Sequence, residues 1–593
     1  MKDNFYPGSY QTTIEKALAA LQAEHITERI WTRDYTVWKP SPAEISNRLG
    51  WLDSPWNMGD RLAEIDAIVE SVRHDGYRQA LLLGMGGSSL GPETFGKVFG
   101  VKPGYLELAI LDSTDPATVL SFARSLDLSR TLFIVSTKSG GTVETFSFMK
   151  YFYNQVRAAL GPEEAGRHFI AITDPGSGIA DWAVRLNFRH TFLNDPDIGG
   201  RFSVLSCFGL VPGALIGMDV GRLLTFARME GERERAPGSS NFADLPADRR
   251  TGRGEGKGNE SSPGDGRKSS GTTPGETVVS AALLGAALGE LAKAGRDKAT
   301  FFISPQIESF GAWLEQLIAE SMGKDGQGIL PIVGEPPGSP EVYGDDRVFI
   351  SVGIGEDNRH NDLLAALRQA GHPVIELAME EPYALGGEIL RWEMATAVAG
   401  ERLGINPFDQ PDVEAAKVLA RQMVAAYRDQ GKLPEETPAW SSEAMDIYGD
   451  VTSIKDFLAQ AKAGDYIALQ AYVEPTGEMD LALANLRLRI RDRYRLATTV
   501  GYGPRYLHST GQLHKGDRGA GLFIQITADD REDAPIPDEP GQSSSSITFA
   551  ALKAAQAMGD RQALINSGRR VIRLHFRKNP SAALEKMTAD ILG

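Results

Sequence analysis

Between Ser136 and Thr145 the chain reads STKSGGTVET, which places five hydroxyls and one ammonium within ten residues. An apolar run, Leu132 to Val135, precedes this stretch and a helical pattern follows it. Hydroxyls and free backbone N–H groups at the positive end of a helix are what a phosphate monoester needs. Ser and Thr also serve as ordinary N-caps, but one cap needs one hydroxyl. A second loop, Gly84-Met85-Gly86-Gly87-Ser88-Ser89-Leu90-Gly91, likewise follows an apolar run and opens a helix. Its glycines let the backbone turn tightly and come close to a ligand. The same loop nearly fits a dinucleotide fingerprint, with Asp112 where a ribose-binding acid would stand, although Ser89 occupies the place of a third glycine. It also fits a plain tight turn. Both loops fall at carboxyl ends of strands, where open α/β sheets bind ligands, and together they favour a phosphorylated small molecule.

Three further segments carry charge in places that chemistry can use. In Gly199-Gly200-Arg201-Phe202-Ser203 two glycines precede an arginine, which suggests a guanidinium presented at close backbone range; the alternative is a surface arginine on a turn. In Leu317-Ile318-Ala319-Glu320-Ser321-Met322-Gly323-Lys324 an acid ends a helix, and a buried Glu320 would act as a proton acceptor. An exposed helix-end glutamate is the commoner case. In Asn406-Pro407-Phe408-Asp409-Gln410-Pro411-Asp412-Val413-Glu414-Ala415-Ala416-Lys417, a turn leads into a helix with Lys417 about one turn in, which local sequence alone reads as solvated.

These groups need a frame. Apolar runs at Gln79–Leu83, Leu106–Leu111, Leu132–Val135 and His168–Ile172 alternate with helical patterns, starting with Arg61–Val72. That rhythm predicts βαβ units and a parallel sheet covered on both faces. It resumes with a helix over Val278–Ala294, strands at Ala299–Ile303, Val348–Val352 and Val374–Leu377, and helices at Phe310–Met322, Gly387–Leu403 and Val413–Gln430. Beyond Pro438, strand signals stand at Tyr466–Val473, Ala497–Gly501 and Gly521–Ile526. A helix over Ser546–Gly568 and the strand Val571–Phe576 are expected to close the chain. The stretch 232–276 is rich in Gly, Ser and charge and poor in apolar residues, and is expected to be a disordered linker. The predicted organisation is a helical preface at 1–60, α/β blocks at 61–231 and 277–437 that read as a diverged pair, and a C-terminal α/β region at 438–593.

A length of 593 residues with 42% hydrophobic content is too much for one compact domain. A formal charge of -16 repels nucleic acid and anionic membranes, so an anionic substrate must be held by local donors. One cysteine, Cys207, forms no internal disulfide, and no stretch approaches the roughly 18 apolar residues of a membrane helix. The composition therefore suggests a cytoplasmic protein without nucleic-acid or membrane partners. Nine scattered histidines show no ligand spacing, so no metal is expected.

In order along the chain, GMGGSSLGP, STKSGGTVET, GGRFSVLSCFGLVP, LIAESMGK and INPFDQPDVEAAK resemble the two phosphate-side loops and the arginine, glutamate and lysine motifs of the glucose-6-phosphate isomerase family. The resemblance spans Gln79 to Lys417, broken only by the linker. It implies two doubly wound parallel-sheet sugar-isomerase (SIS) subdomains that act without metal or cofactor on a sugar phosphate. The preface and C-terminal region look like the isomerase module fused behind a transaldolase in some bacteria. Too few residues precede Gln79 for a transaldolase barrel, so isomerase activity alone is expected.

The resemblance also implies roles. Glu320 would move a proton between C2 and C1 through an enediol, Arg201 would stabilise the enediolate, and Lys417 would assist ring opening near the ring oxygen. Gly87 and Ser88, with Thr137, Lys138, Ser139, Thr142 and Thr145, would hold the phosphate and lower sugar. A homodimer sharing its sites is also implied. One motif departs. Simpler bacterial members carry a ring-opening histidine soon after the glutamate, whereas Ile329 to Gly344 has none. Tyr506-Leu507-His508-Ser509-Thr510-Gly511-Gln512-Leu513-His514-Lys515-Gly516 resembles that motif, displaced toward the C-terminus. His508 is therefore expected to fold back as the ring-opening acid/base, against the alternative of a packed structural histidine. The rival readings are a dual phosphoglucose/phosphomannose isomerase, a non-catalytic sugar-phosphate sensor and a nicotinamide enzyme. Glu320, Arg201 and Lys417 all being present speaks against the sensor.

Overall fold

The computed structural model describes residues 3–236 and 279–592. Three sheets organise the chain. The first is wholly parallel, in the order Glu107–Leu111, Gln79–Gly84, Thr131–Ser136, Phe169–Thr173, His190–Leu193. Its central strands are almost continuously apolar because helices cover both faces; Leu81, Leu82, Phe133 and Ile134 are fully buried. The chain leaves the strand Gln79–Gly84 toward one edge and returns on its other side as Thr131–Ser136. The topological switch point, where crevices open in such sheets, thus lies between the two strands that carry the donor loops.

The second sheet repeats this plan. Its order is Asn4–Tyr6, Val374–Met379, Arg347–Ile354, Lys298–Ile303, Leu330–Ile332, with only Asn4–Tyr6 antiparallel. Four parallel strands again run second, first, third, fourth, which agrees with the reading of a diverged pair. The helix that carries Glu320, Phe310–Met322, follows the strand Lys298–Ile303 at the equivalent switch point. The preface adds more than helices. Its strand extends the second sheet, and Trp38 Nε1 donates to the Ala397 carbonyl at 2.8 Å while Trp51 packs on Phe202.

The third sheet has six strands in the order Trp440–Ser441, Met445–Tyr448, Arg570–Phe576, Gly521–Ala528, Tyr466–Tyr472, Ala497–Tyr502. The first two are antiparallel additions to a parallel set of four. From this region Ala534, Ile536, Phe549 and Leu552 enter the apolar cluster on one face of the first sheet. The C-terminal region is therefore packed against the phosphate-loop block.

Two expectations need correction. The chain closes with the helix Pro580–Leu592, whose start is marked by a proline in its first turn, and not with the strand before it. The residues Glu232–Arg235, assigned from composition to the linker, continue the helix Val220–Arg235; Glu234 is buried and accepts the Ala281 N–H at 2.9 Å. The remainder of the expected linker, 237–276, lies outside the described residues. No described helix is long and apolar enough to cross a membrane.

Candidate functional site

The two switch points face one another across a cavity of about 550 Å³. Its wall includes Gly87 and Ser88 from the first loop, Thr137, Lys138, Ser139 and Thr142 from the second, and Arg201, Glu320, Lys417 and His508. Ten of the eleven residues singled out from sequence thus meet in one place. Thr145 does not line it. It sits in the first turn of the helix Val143–Leu160, fully buried, with a hydroxyl that finds no partner.

Close backbone approach makes the constellation possible. A Cβ on Gly87 would overlap the Gly200 carbonyl, so the two glycine loops touch directly and Arg201 emerges beside the phosphate-side loop. Gly86 has φ +55°, and a Cβ there would stand 2.9 Å from the carbonyl oxygen of His508. The second loop turns at Gly140, also at positive φ, and Thr137 Oγ1 lies 3.1 Å from Thr142 Oγ1. Lys138 Nζ pairs with Asp174 and donates to the Pro196 carbonyl at 2.7 Å. Thr142 precedes the helix Val143–Leu160 without a side-chain cap bond, which leaves that helix end open to an anion.

Arg201 is not a surface residue: it is 2% exposed. Its Nε donates to Ser321 Oγ at 2.7 Å, and its terminal nitrogens reach Gln410 Oε1 at 3.0 Å and the carbonyls of Pro407 and Asp409. One face remains for Glu320, whose Oε1 lies 3.2 Å from Arg201 Nη1. Burial lowers the Arg201 pKa from its ordinary value, and Glu320 and Asp409 work against that. A guanidinium stays charged under such a shift. The other Glu320 oxygen accepts from Gln316 Nε2 at 3.0 Å, one turn back on the same helix. A carboxylate with two fixed donors and an open cavity in front of it can act as a proton acceptor beside a stabilising cation. Lys417 stands at the rim, half exposed, with Glu414 at 3.9 Å.

His508 reaches the cavity from the C-terminal region, on the turn Arg505–His508 after the edge strand Ala497–Tyr502. Its Nε2 lies 3.1 Å from Glu144 Oε1, and its carbonyl accepts from Gln316 Nε2 at 2.7 Å. Glu144 is buried and also takes a hydrogen bond from Gln556 Nε2 at 2.6 Å. Burial alone would raise the Glu144 carboxyl, but the facing His508, by charge and hydrogen bond, turns the balance and holds it below the usual range. A second cavity, of about 680 Å³, adjoins the first and shares Ser139, Thr142, Val413, Lys417, Leu507 and His508 with it.

Several contributors escaped the sequence reading. Gln316 carries a signal in retrospect, since it precedes Glu320 by four residues and shares its helix face. Glu144 sits inside STKSGGTVET, and Gln410 inside the lysine motif, but neither spacing says which carboxylate or amide turns inward. Arg48 from the preface and Gln556 from the helix Phe549–Asn566 have no local signal at all. Asp112, the possible ribose-binding acid, is occupied instead: Arg505 Nη1 lies 2.9 Å away and Ser89 Oγ donates to it at 3.2 Å. That removes one of the two features behind the nicotinamide reading, the other being the glycine loop.

Residues 63–232 match the family model described as phosphoglucose isomerase. A glucose-6-phosphate isomerase of Thermus thermophilus is 30% identical over 435 residues, covering 64% of this chain and 92% of the relative. The chain belongs to the glucose-6-phosphate isomerase family. The corresponding enzyme of Rubrobacter xylanophilus is 28% identical over 465 residues, with 70% of this chain and 97% of the relative covered. Among solved structures, a Thermus thermophilus protein titled as hypothetical matches with a TM-score of 0.55 at 24% identity, covering 71% of this chain and 100% of that one. A glucose-6-phosphate isomerase from Chlamydia trachomatis gives 0.54 at 19% identity, over 71% of this chain and 87% of that one. These two likenesses support the paired parallel-sheet architecture of the family.

Proposed function

We propose that this chain interconverts glucose 6-phosphate and fructose 6-phosphate. The observation that carries the reading is the facing of Glu320 and Arg201, 3.2 Å apart, in the same cavity as the hydroxyl-rich loop of Thr137 to Thr142. The hydroxyls, the open helix end and Lys138 hold the phosphate. The Glu320 carboxylate removes the proton from C2 of the open-chain aldose. The electron pair forms the C1–C2 double bond as the carbonyl oxygen O1 becomes an enediolate oxygen, which Arg201 stabilises. Glu320 then returns the proton to C1, while the O2 hydroxyl proton passes to O1, so that O1 becomes the hydroxyl and O2 the new carbonyl. His508 and Lys417 serve ring opening, which moves a proton from the anomeric hydroxyl to the ring oxygen. Family membership also supports a homodimer, which light scattering on the purified protein would test.

The deciding experiment is turnover of fructose 6-phosphate with EDTA and no added cofactor, read through glucose 6-phosphate formation. The wild type is expected to turn over. Glu320→Gln removes the acceptor while keeping the shape, and is expected to lose about 10³-fold or more. Wild-type inactivity with sugar-phosphate binding intact would overturn the reading. His508→Ala is expected to slow turnover of the cyclic substrate; full turnover would return His508 to a packing role.

A further inference from the structure

His508 stands on a four-residue turn at the edge of a different sheet from the one that holds the phosphate loops, so something must fix it across that boundary. Two consecutive residues of the turn bind in opposite directions. Tyr506 is tied to its own region: its hydroxyl donates to Asp560 at 2.6 Å and lies 3.1 Å from the Tyr472 hydroxyl. Arg505 crosses to the phosphate-loop block. One of its nitrogens pairs with Glu93, on the helix Gly87–Phe99 that starts at the GMGGSS loop. The other lies 2.9 Å from Asp112, at the end of the neighbouring strand. The carboxylates keep 15% and 11% of their side-chain surface and the arginine 27%, so the cluster is largely shielded from solvent. Burial alone would push the Glu93 carboxyl up; Arg505 and Lys97 hold it below its usual range.

We infer that Arg505 is a positioning residue for His508: it docks the turn onto Glu93 and Asp112 and so sets the imidazole against Glu144 and the cavity. The inference rests on the isomerase reading for its catalytic consequence, and on the geometry alone for its structural one. The planar guanidinium suits the task because it gives two separate nitrogens in fixed directions to two carboxylates on different elements. Beside Arg505, the turn meets that block through the His508 ring on Glu144 and the close packing of the His508 carbonyl on Gly86; the bonds of the His508 carbonyl to Gln316 and of Ser509 Oγ to Glu315 at 3.4 Å run to the second sheet's helix instead. Without Arg505, the ring would keep its sequence neighbours but lose its register with Glu144. A displacement of about 1 Å at a reacting group can cost on the order of 10²-fold in rate.

The test combines kinetics with an observable that does not depend on turnover. Arg505→Met and Arg505→Lys are compared with the wild type in the presence of His508 and in a His508→Ala background; Glu93→Gln, which leaves Asp112 as a partner, is the milder variant. Arg505→Met is expected to lower kcat on cyclic fructose 6-phosphate by about 10- to 100-fold, with KM changed by less than about threefold. Arg505→Lys should recover part of that loss. In the His508→Ala background Arg505→Met should cost nothing further. An equal loss in both backgrounds would mean general structural damage and would overturn the inference. In the full chain labelled with ¹⁵N-histidine, the His508 ring resonances of Arg505→Met should move to where Glu144→Gln places them. Unmoved resonances would also overturn it. If the wild type isomerises no sugar phosphate, the isomerase reading falls, and the ring resonances still decide whether Arg505 positions His508.

Discussion

One methyl group is enough to test how Arg201 is held. A Cβ on Gly87 would run into the Gly200 carbonyl, backbone against backbone, with no flexible side chain to give way. Gly87→Ala is therefore expected to part the two loops and shift the guanidinium from Glu320. Activity should fall by about 10²-fold while circular dichroism stays native; full activity in the variant would show that the contact does not hold the site. Lys324 offers a second test beside the same guanidinium. It is 2% exposed and holds Asp409, whose carbonyl also receives Arg201. Burial, reinforced by the Arg201 charge, pushes its ammonium down to about 8, with Asp409 opposing. The folded value lies below the unfolded one, so between about pH 8 and 10.5 the unfolded chain binds more protons and stability rises with pH. The rise amounts to at most about 3 kcal/mol. Denaturant unfolding should show the wild type gaining stability relative to Lys324→Met across that window, and a constant difference would contradict it.

At the scale of elements, the helix Gly511–Gly516 is wedged against the end of the Glu320 helix by two glycines. A Cβ on Gly323 would overlap Leu513 Cα, and one on Gly516 would overlap the Gly323 carbonyl. Gly323→Ala should therefore loosen the C-terminal region without touching the cavity wall, seen as faster proteolytic cleavage between residues 431 and 439; an unchanged cleavage rate would contradict that. This junction also marks where the sequence ran out. The helices Phe310–Met322 and Val413–Gln430 were legible to the residue, and the buried strands to within one or two residues, because their apolar periods and glycine stops are local. The strand Leu330–Ile332 is only three residues long and carries a proline, so it gave no run to read. The five motifs pointed to one site because each is a strand-end or helix-end feature. Glu144, Gln556 and Arg505 were not legible as parts of it: a buried carboxylate or guanidinium is defined by what it meets across 364 to 438 residues of chain, as His508–Glu144 and Lys553–Asp115 do, and no spacing records that.

Over the whole molecule, the C-terminal region docks on the first sheet through a mixed seam. Its apolar part, Phe549, Leu552, Ala534 and Ile536, does not titrate. In its polar part Arg505 meets Glu93 and Asp112, His508 and Gln556 meet Glu144, and Lys553 meets Asp115 at 2.7 Å. Against the upward push of burial, Glu93 is lowered by Arg505 and Lys97, and Glu144 chiefly by His508. Both folded values lie below the unfolded one, so their contribution is present above about pH 4.5 and is lost as pH falls through the folded values. Asp112 has the opposite sign, because burial raises it despite Arg505, and it relaxes slightly in acid. Asp530, which also meets Lys553, is raised by burial in the same way as Asp112. The expected weakening in acid therefore rests on Glu93 and Glu144, with the apolar contacts still holding. Below about pH 4.5 the helix Phe549–Asn566 should lose hydrogen-exchange protection before the strands of the first sheet do, by about tenfold for each unit of net pKa difference. Glu93→Gln with Glu144→Gln should flatten that dependence. Parallel loss of protection in the helix and the sheet strands would show that acid unfolds the chain as one body and that the seam is not its weak plane.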